Sequence, residues 1–351
     1  MKNYFDTEAL QRTLDSWRKV SPCLGCNVTL VDSGGHCWHG ASGYRRLDRE
    51  EALSPLSKCY IYSITKVFTA VRILQLVKQR RITLEESVIR YLPESGLAED
   101  ISVRQLLNHT SGIPSYTSLS EYDAAVRANP GLPWTAEETL RRVLQREADF
   151  APGQGWEYSN TNYMLLAQII EAATGESYAQ NITEHILSPL GLAHTRVATA
   201  IDQATLTPGY SRLLNADEAL EDITTRYHPG WCQTGLLVST TGDIARLFIA
   251  LFKENFIGDE WLKEMCDFVS IGRSAGKFYV TPGYGMGLML DPGWGAGGLF
   301  SHGGEGPGYN TWALYIPGHE GRWLVLTIFC NTSMPGQPTY LVKDLLRALA
   351  F

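Results

Sequence analysis

Long apolar runs are missing from this 351-residue chain. Nowhere do about 18 apolar residues follow one another, so the sequence offers no membrane-spanning helix. The N-terminal run MKNYFDTEALQRTLDSWRKV carries Asp6, Glu8, Arg12, Asp15, Arg18 and Lys19 and leaves no space for the apolar core of a signal peptide. A cytoplasmic location is therefore the expectation. An excess of positive charge is missing too: 30 Lys and Arg against 37 Asp and Glu give a net charge of −7. That balance provides no general attraction to nucleic acid or anionic lipid, and neither is expected as a partner. Cysteine is sparse and odd in number, seven residues at 23, 26, 37, 59, 232, 266 and 330. Such scatter is not a disulfide framework, and reduced, mostly buried thiols are expected. Internal repeats and low-complexity linkers are also lacking.

The hydrophobic pattern changes character along the chain. Leu10, Leu14 and Trp17 share one helical face near the N-terminus, as do Leu341, Leu345, Leu346 and Leu349 near the C-terminus. Two strand-like runs flank the turn Asp32-Ser33-Gly34-Gly35, and strand-like runs return in YGMGLML, TWALYIPG and WLVLTIFCN. Between them TKVFTAVRILQLVKQ, SVRQLLNHT, AEETLRRVLQR and NYMLLAQIIEAATG have helical periodicity, the last ending at Gly175. Strands at both ends and helices between predict an α+β fold: an antiparallel sheet flanked by N- and C-terminal helices, with an inserted all-helical lobe. The expected division is an α/β lobe from about 1–62 and 220–351 around a helical lobe at about 63–219, in one two-lobed unit.

One element of that helical block is chemically unusual. Residues 60–70, YIYSITKVFTA, place Ser63 at the head of an apolar run with Lys66 three positions on. Ser-x-x-Lys is a weak pattern, since it recurs at Ser16-Lys19 and Ser274-Lys277. Context separates the three. Ser16 falls within a surface-type helix and Ser274 in a polar, glycine-containing stretch, whereas Ser63 opens a helix whose apolar residues point in too many directions for a surface element. At a helix start the serine meets free backbone N–H groups and the positive end of the helix dipole, both suited to a developing oxyanion. Lys66 shares its face, and a lysine that gives up its proton in an apolar setting can serve as the serine's base. The plainer alternative is an N-cap serine beside a lysine reaching for water.

Two further motifs decide between these. Tyr158 and Asn160 stand in FAPGQGWEYSNTNYMLLAQIIEAATG, and the chain has no other Tyr-x-Asn. His302, Gly303 and Gly304 precede a strand-like run in FSHGGEGPGYNTWALYIPG, where glycines let another segment approach the backbone. Ser-x-x-Lys, Tyr-x-Asn and His-Gly-Gly, in that order, resemble the three motifs of serine β-lactamases and penicillin-binding proteins, in particular the class C β-lactamase, DD-peptidase and esterase group. ISVRQLLNHTSGIPSY, ILSPLGLAHT and GLLVSTTGDIARL also look like this family, so the resemblance covers nearly the whole chain.

The resemblance implies a serine hydrolase that forms a covalent acyl-enzyme on an ester or amide, as an esterase, D-aminopeptidase, DD-peptidase-like enzyme or weak β-lactamase. Ser63 would be the nucleophile, and Lys66 and Tyr158 a coupled base system in which either group could take the serine's proton. Asn160 would hydrogen-bond the substrate and Lys66. The backbone N–H groups of Ser63 and Glu305 would form the oxyanion hole. No cofactor or metal is implied, and the partner is a small molecule or short peptide.

Two departures bear on the substrate. Many β-lactamases carry Lys-Thr-Gly where this chain has His302-Gly303-Gly304, and a largely neutral histidine is a poor holder of a carboxylate. His302 is instead expected to donate a hydrogen bond to the Ser63 or Tyr158 network and to make activity change between about pH 5 and 8. Glu305 is either an outward-facing strand residue or a carboxylate able to meet an amine, as a D-aminopeptidase needs. Other outcomes of the same chemistry are acyl transfer to a second nucleophile and a non-catalytic sensor acylated once at Ser63.

The remaining candidates are weaker. Cys23-x-x-Cys26 with His36, Cys37 and His39 suggests a metal site, but a turn at Ser33 to Gly35 sets Cys37 beside Val31 and leaves Cys26 about 17 Å away at strand rise. His109 in LLNHTSG reads as a helix-end residue with a structural role. Trp134, Trp156, Tyr116 and Tyr309 are expected around the cleft.

Overall fold

A computed structural model of the chain describes residues 5–48, 50–202, 204–215, 219–272, 278–295, 297–318, 321–334, 336 and 338–349. Its main sheet joins strands from the two ends of the chain. They are β1 (Gly25–Asp32), β2 (Cys37–Gly43), β3 (Val269–Ser270), β4 (Gly283–Tyr284), β5 (Met289–Asp291), β6 (Leu299–Gly306), β7 (Tyr309–Pro317) and β8 (Trp323–Cys330). Their order is β2-β1-β8-β7-β6-β5-β4-β3, with every neighbouring pair antiparallel. The turn expected after Asp32 is present, and its register sets Val31 against Cys37 and Cys26 against Ser42.

Side-chain alternation gives this sheet two faces. Val28, Leu30, Trp312, Leu314, Leu326 and Ile328 bury one face against Leu10 and Leu14 of helix α1 (Thr7–Val20) and against Leu341, Val342 and Leu345 at the C-terminus. Ala313, Tyr315, Val325 and Phe329 belong to the core on the other face, with Ile244, Leu247, Phe248 and Leu251 of a helix at Thr241–Lys253.

That second core continues into the middle of the chain. Helix α2 (Thr65–Lys78) buries nearly every residue it has, from Thr65 through Leu74, which is why its apolar residues form no single stripe. Helix α3 (Asn160–Thr174) packs beside it with Tyr163, Met164, Leu165, Leu166, Ile169 and Ile170 buried, and Gly175 closes it at φ 75°, a left-handed conformation favoured by glycine. Among the described residues no helix is long and apolar enough to cross a membrane.

Candidate active site

A short strand at Cys59–Tyr60 delivers the chain to Ser63, with Ile61 N–H donating to the Leu237 carbonyl at 3.0 Å. Ser63 was expected to open the helix itself. It lies instead in a tight 3₁₀ turn, Tyr62–Ile64, that runs into α2 at Thr65. Tyr62 before it has φ 45°, the left-handed region that non-glycine residues seldom occupy. Tyr62 is held there because its ring is buried and its hydroxyl donates to the Pro307 carbonyl. Strain of this kind persists only where the surroundings over-determine it.

Strand β6 presses against this turn. A Cβ on Gly304 would lie 2.0 Å from the Ile61 carbonyl oxygen, and one on Gly306 would lie 2.4 Å from the Tyr62 ring. Thr311 Oγ1 on β7 donates to the same Ile61 carbonyl at 3.1 Å. The glycines thus bring residues 304–306 directly alongside 61–63.

Lys66 is fully buried, and its Nζ donates to Ser63 Oγ at 2.9 Å and to Asn160 Oδ1 at 2.8 Å. The orientation of the Asn160 amide is fixed from its other end, where Nδ2 donates to Thr117 Oγ1 at 3.0 Å. The backbone N–H of Asn160 donates to Ser115 Oγ at 3.1 Å. Nζ also lies 4.9 Å from the centre of the Tyr158 ring and 5.5 Å from that of Tyr163. Four residues separated by up to 97 positions therefore meet: Ser63, Lys66, Tyr158 and Asn160.

His302 departs from expectation. It is buried, with Nδ1 2.7 Å from the Gly303 carbonyl and Nε2 2.9 Å from the Tyr284 hydroxyl. A carbonyl only accepts, so Nδ1 carries the hydrogen and Nε2 accepts from Tyr284. The hydrogen bond that His302 was expected to donate to the Ser63 or Tyr158 network goes instead to the Gly303 carbonyl, and Nε2 is occupied by the Tyr284 hydroxyl, which the sequence did not mark. Burial, reinforced by the nearby Lys66 charge, depresses the His302 pKa to about 3. It stays neutral from pH 5 to 8, so the expected titration over that window is corrected.

Ser63 and Asn160 open onto a cleft of about 170 Å³. Its walls include Tyr116, Tyr122, Leu213 and Tyr227, with two carboxylates, Asp123 and Glu305. No lysine, arginine or histidine is among its described lining residues. Burial raises the Glu305 pKa from its ordinary value and pushes the Tyr116 phenol well up. Of the aromatics expected here only Tyr116 lines the cleft. Trp134 packs edge-on against Tyr122 and Trp231, Trp156 packs against His109 and Tyr284, and Tyr309 is buried with its hydroxyl on the Thr207 carbonyl. Asp123 sits in a polar stretch, SLSEYDAAVR, that carries no motif to mark it. A larger groove of about 880 Å³ lies between the terminal helices, but none of its described lining residues carries a hydroxyl or thiol hydrogen-bonded to a lysine, histidine or carboxylate.

Several known proteins are similar to this chain. Protein flp of Staphylococcus aureus (strain MW2) is 36% identical over 176 residues, 49% of this chain but 34% of flp, so the match spans about a third of that relative's length. Penicillin-binding protein 4* of Bacillus subtilis (strain 168) is 31% identical over 317 residues, 86% of this chain and 67% of that protein. Among solved structures, a D-stereospecific amidohydrolase from Streptomyces sp. superposes with a TM-score of 0.82 at 29% identity, covering 98% of both chains. The D-amino acid amidase from Ochrobactrum anthropi SV3 complexed with L-phenylalanine amide superposes with a TM-score of 0.84 at 26% identity, covering 99% of both. Residues 20–350 match the Beta-lactamase family, and the chain belongs to that family.

Proposed function

We propose that this protein is a serine hydrolase that cleaves amides, or esters, of substrates bearing a free ammonium group, with D-amino acid amides and short D-peptides as the leading class. The observation that carries the reading is Lys66 Nζ, buried and shared between Ser63 Oγ and Asn160 Oδ1, at the edge of a cleft whose described charged residues are Asp123 and Glu305 alone.

Ser63 Oγ attacks the substrate carbonyl while its proton passes to the Lys66 and Tyr158 pair. The oxyanion forms against the backbone N–H groups of Ser63 and Glu305, on segments that Gly304 holds together. The same pair returns the proton to the leaving amine or alcohol, and water then releases the acyl group. Asn160, held by Thr117, keeps Nζ directed at Ser63. One two-lobed unit, with the boundaries expected near residues 62 and 220, performs the whole cycle. Two carboxylates, with no cation among the described residues that line the cleft, favour an ammonium over a substrate carboxylate, which sets amino acid amides above β-lactams. The similarity to a D-amino acid amidase supports the same choice.

The test compares hydrolysis of D-phenylalanine amide, its N-acetyl derivative and nitrocefin by wild type and Ser63→Ala. A preference for the free amine of about tenfold or more in kcat/KM, equivalent to about 1.4 kcal/mol, is expected. Ser63→Ala abolishes turnover and fluorophosphonate labelling. Equal rates on the N-acetyl compound overturn the ammonium assignment. Labelling of Ser63→Ala at full stoichiometry overturns the nucleophile. A burst of one equivalent from p-nitrophenyl acetate, with no turnover of any substrate, would make the protein a sensor.

A further inference from the structure

His109 was expected to serve the end of its own helix, but its side chain does nothing there. The helix at Val103–Leu107 is closed by backbone bonds, Asn108 N–H to the Arg104 carbonyl and Thr110 N–H to the Gln105 carbonyl, each at 3.0 Å. His109 is instead held at φ 63° with its ring buried, and its hydrogen bonds run to Glu157, Ser159 and Asn162 in the segment around Tyr158.

The His109 carbonyl accepts from Glu157 N–H at 3.2 Å, and its Nδ1 accepts from Ser159 N–H at 3.2 Å. One residue thus ties the backbone on both sides of Tyr158. Its ring packs on the Tyr158 ring with centroids 4.4 Å apart and planes 42° apart. A third donor, Asn162 Nδ2, reaches Nδ1 at 3.3 Å, and Ser111 Oγ fixes that amide by donating to Asn162 Oδ1 at 2.8 Å. A nitrogen that accepts from backbone and side-chain N–H groups carries no hydrogen itself, so the proton resides on Nε2. Nε2 is buried without a hydrogen-bond partner, and the Tyr284 and Tyr163 rings lie 4.6 and 5.3 Å from the imidazole, centre to centre. Desolvation, reinforced by the nearby Lys66 charge, lowers the His109 pKa well below its ordinary value. Protonation of Nδ1 would break the bond to Ser159.

We propose that His109 is a positioning residue, a neutral clamp that fixes the backbone and ring of Tyr158 for proton transfer at Ser63. The inference rests on the reading of Ser63, Lys66 and Tyr158 given above. Tyr158 is half-buried, and besides the ring of Tyr284 it packs on that of His109, the residue that also fixes its backbone on both sides. That restraint matters, since a misplacement of about 1 Å in a catalytic group costs about 10²-fold in rate.

The test is a double-mutant cycle. His109→Gly keeps the positive φ without strain and removes both acceptor and ring. It is expected to lower kcat by about 10- to 100-fold with KM within about twofold. In a Tyr158→Phe background the same change should lower kcat no further, because the group it positions is already gone. His109→Asn, which tolerates positive φ and offers Oδ1 where Nδ1 stood, should restore kcat to within about fivefold of wild type. Equal losses from His109→Gly in both backgrounds, or an unimpaired His109→Gly, overturn the clamp. Failure of His109→Gly to fold leaves a test on the native protein: nitrogen NMR should find Nδ1 unprotonated and Nε2 protonated at pH 7, and the opposite tautomer overturns the proposal. Turnover surviving in Ser63→Ala would instead refute the acyl-serine reading, so the two failures are distinguishable.

Discussion

Replacing Gly304 by alanine places a methyl group 2.0 Å from the Ile61 carbonyl oxygen and 2.4 Å from Thr311 Oγ1. Neither neighbour can yield cheaply. The Ile61 carbonyl is backbone at the head of the nucleophile turn, and Thr311 Oγ1 is bonded to that carbonyl at 3.1 Å and to the Gly304 carbonyl at 3.2 Å. A tolerable contact near 3 Å requires the strand and the turn to separate by about 1 Å, and strain from overpacking of this kind costs about 1–3 kcal/mol. Thermal unfolding should therefore fall by several degrees. The effect on rate should be larger, because the separation moves the strand carrying residue 305 away from the turn that carries Ser63. Moving an oxyanion donor by about 1 Å is expected to lower kcat by about 10²-fold, within the range seen when such a donor is removed. The assay measures kcat and KM for a D-amino acid amide, the rate of fluorophosphonate labelling and the melting temperature. Gly131→Ala is the control, since its Cβ would meet nothing closer than 3.7 Å. Gly304→Ala with the kcat and melting temperature of Gly131→Ala would refute the argument that this glycine sets the oxyanion geometry.

Other outcomes follow from the same contacts. Lys66→Met should reduce kcat/KM by about 10²- to 10⁴-fold without lowering the unfolding free energy in urea, since it removes a base and leaves a buried chain of similar volume; wild-type activity would exclude Lys66 from the chemistry. Asp123→Asn together with Glu305→Gln should raise KM for D-phenylalanine amide while leaving its N-acetyl derivative unaffected, and parallel changes for both compounds would show that the carboxylates do not read the ammonium. His302 makes stability depend on acid: its pKa of about 3 in the fold lies below the ordinary histidine value, so between about pH 6.5 and 3 the unfolded chain binds a proton that the folded chain does not. Stability contributed by the neutral ring is therefore complete above about pH 6.5 and is lost as pH falls, by up to a few kcal/mol. Urea unfolding at pH 7 and 4.5 should show a smaller difference in His302→Gln than in wild type.

Much of this architecture could be read from periodicity. The alternation in TWALYIPG and WLVLTIFCN marked the central strands, and Gly175 marked the end of α3, because each signal is local. The identity of the reacting residues was legible from motif order, although each motif alone was weak. Contacts across the chain left no such trace. Asp123 and Thr117 reach the cleft through the path of residues 115–123, and nothing in their neighbours distinguishes them from any polar loop. His302 was misread because sequence shows a titratable residue beside a motif, whereas its state depends on Tyr284, 18 positions away, and on burial. His109 was assigned to the helix before it for the same reason: its partners, at 157, 159 and 162, lie some fifty residues further on.

A fully buried lysine is costly to place, and its surroundings show what the fold retains it for. Nζ has two polar partners, Ser63 and Asn160, and the Asn160 amide is oriented by Thr117. Ser115 holds the Asn160 backbone, while Thr161, next on α3, accepts from Tyr116 N–H at 2.9 Å and donates to the Pro114 carbonyl at 2.7 Å. The segment that orients the base is thus the same one that presents Tyr116, Thr117 and Asp123 to the cleft. Base orientation and substrate recognition are mechanically joined. A change in residues 115–123 that altered substrate preference would also shift Asn160 and, through it, Nζ. Exchanging this segment with that of a relative should therefore alter kcat together with KM. A graft that moved KM alone would show that the amide of Asn160 is held by α3 without help from the loop.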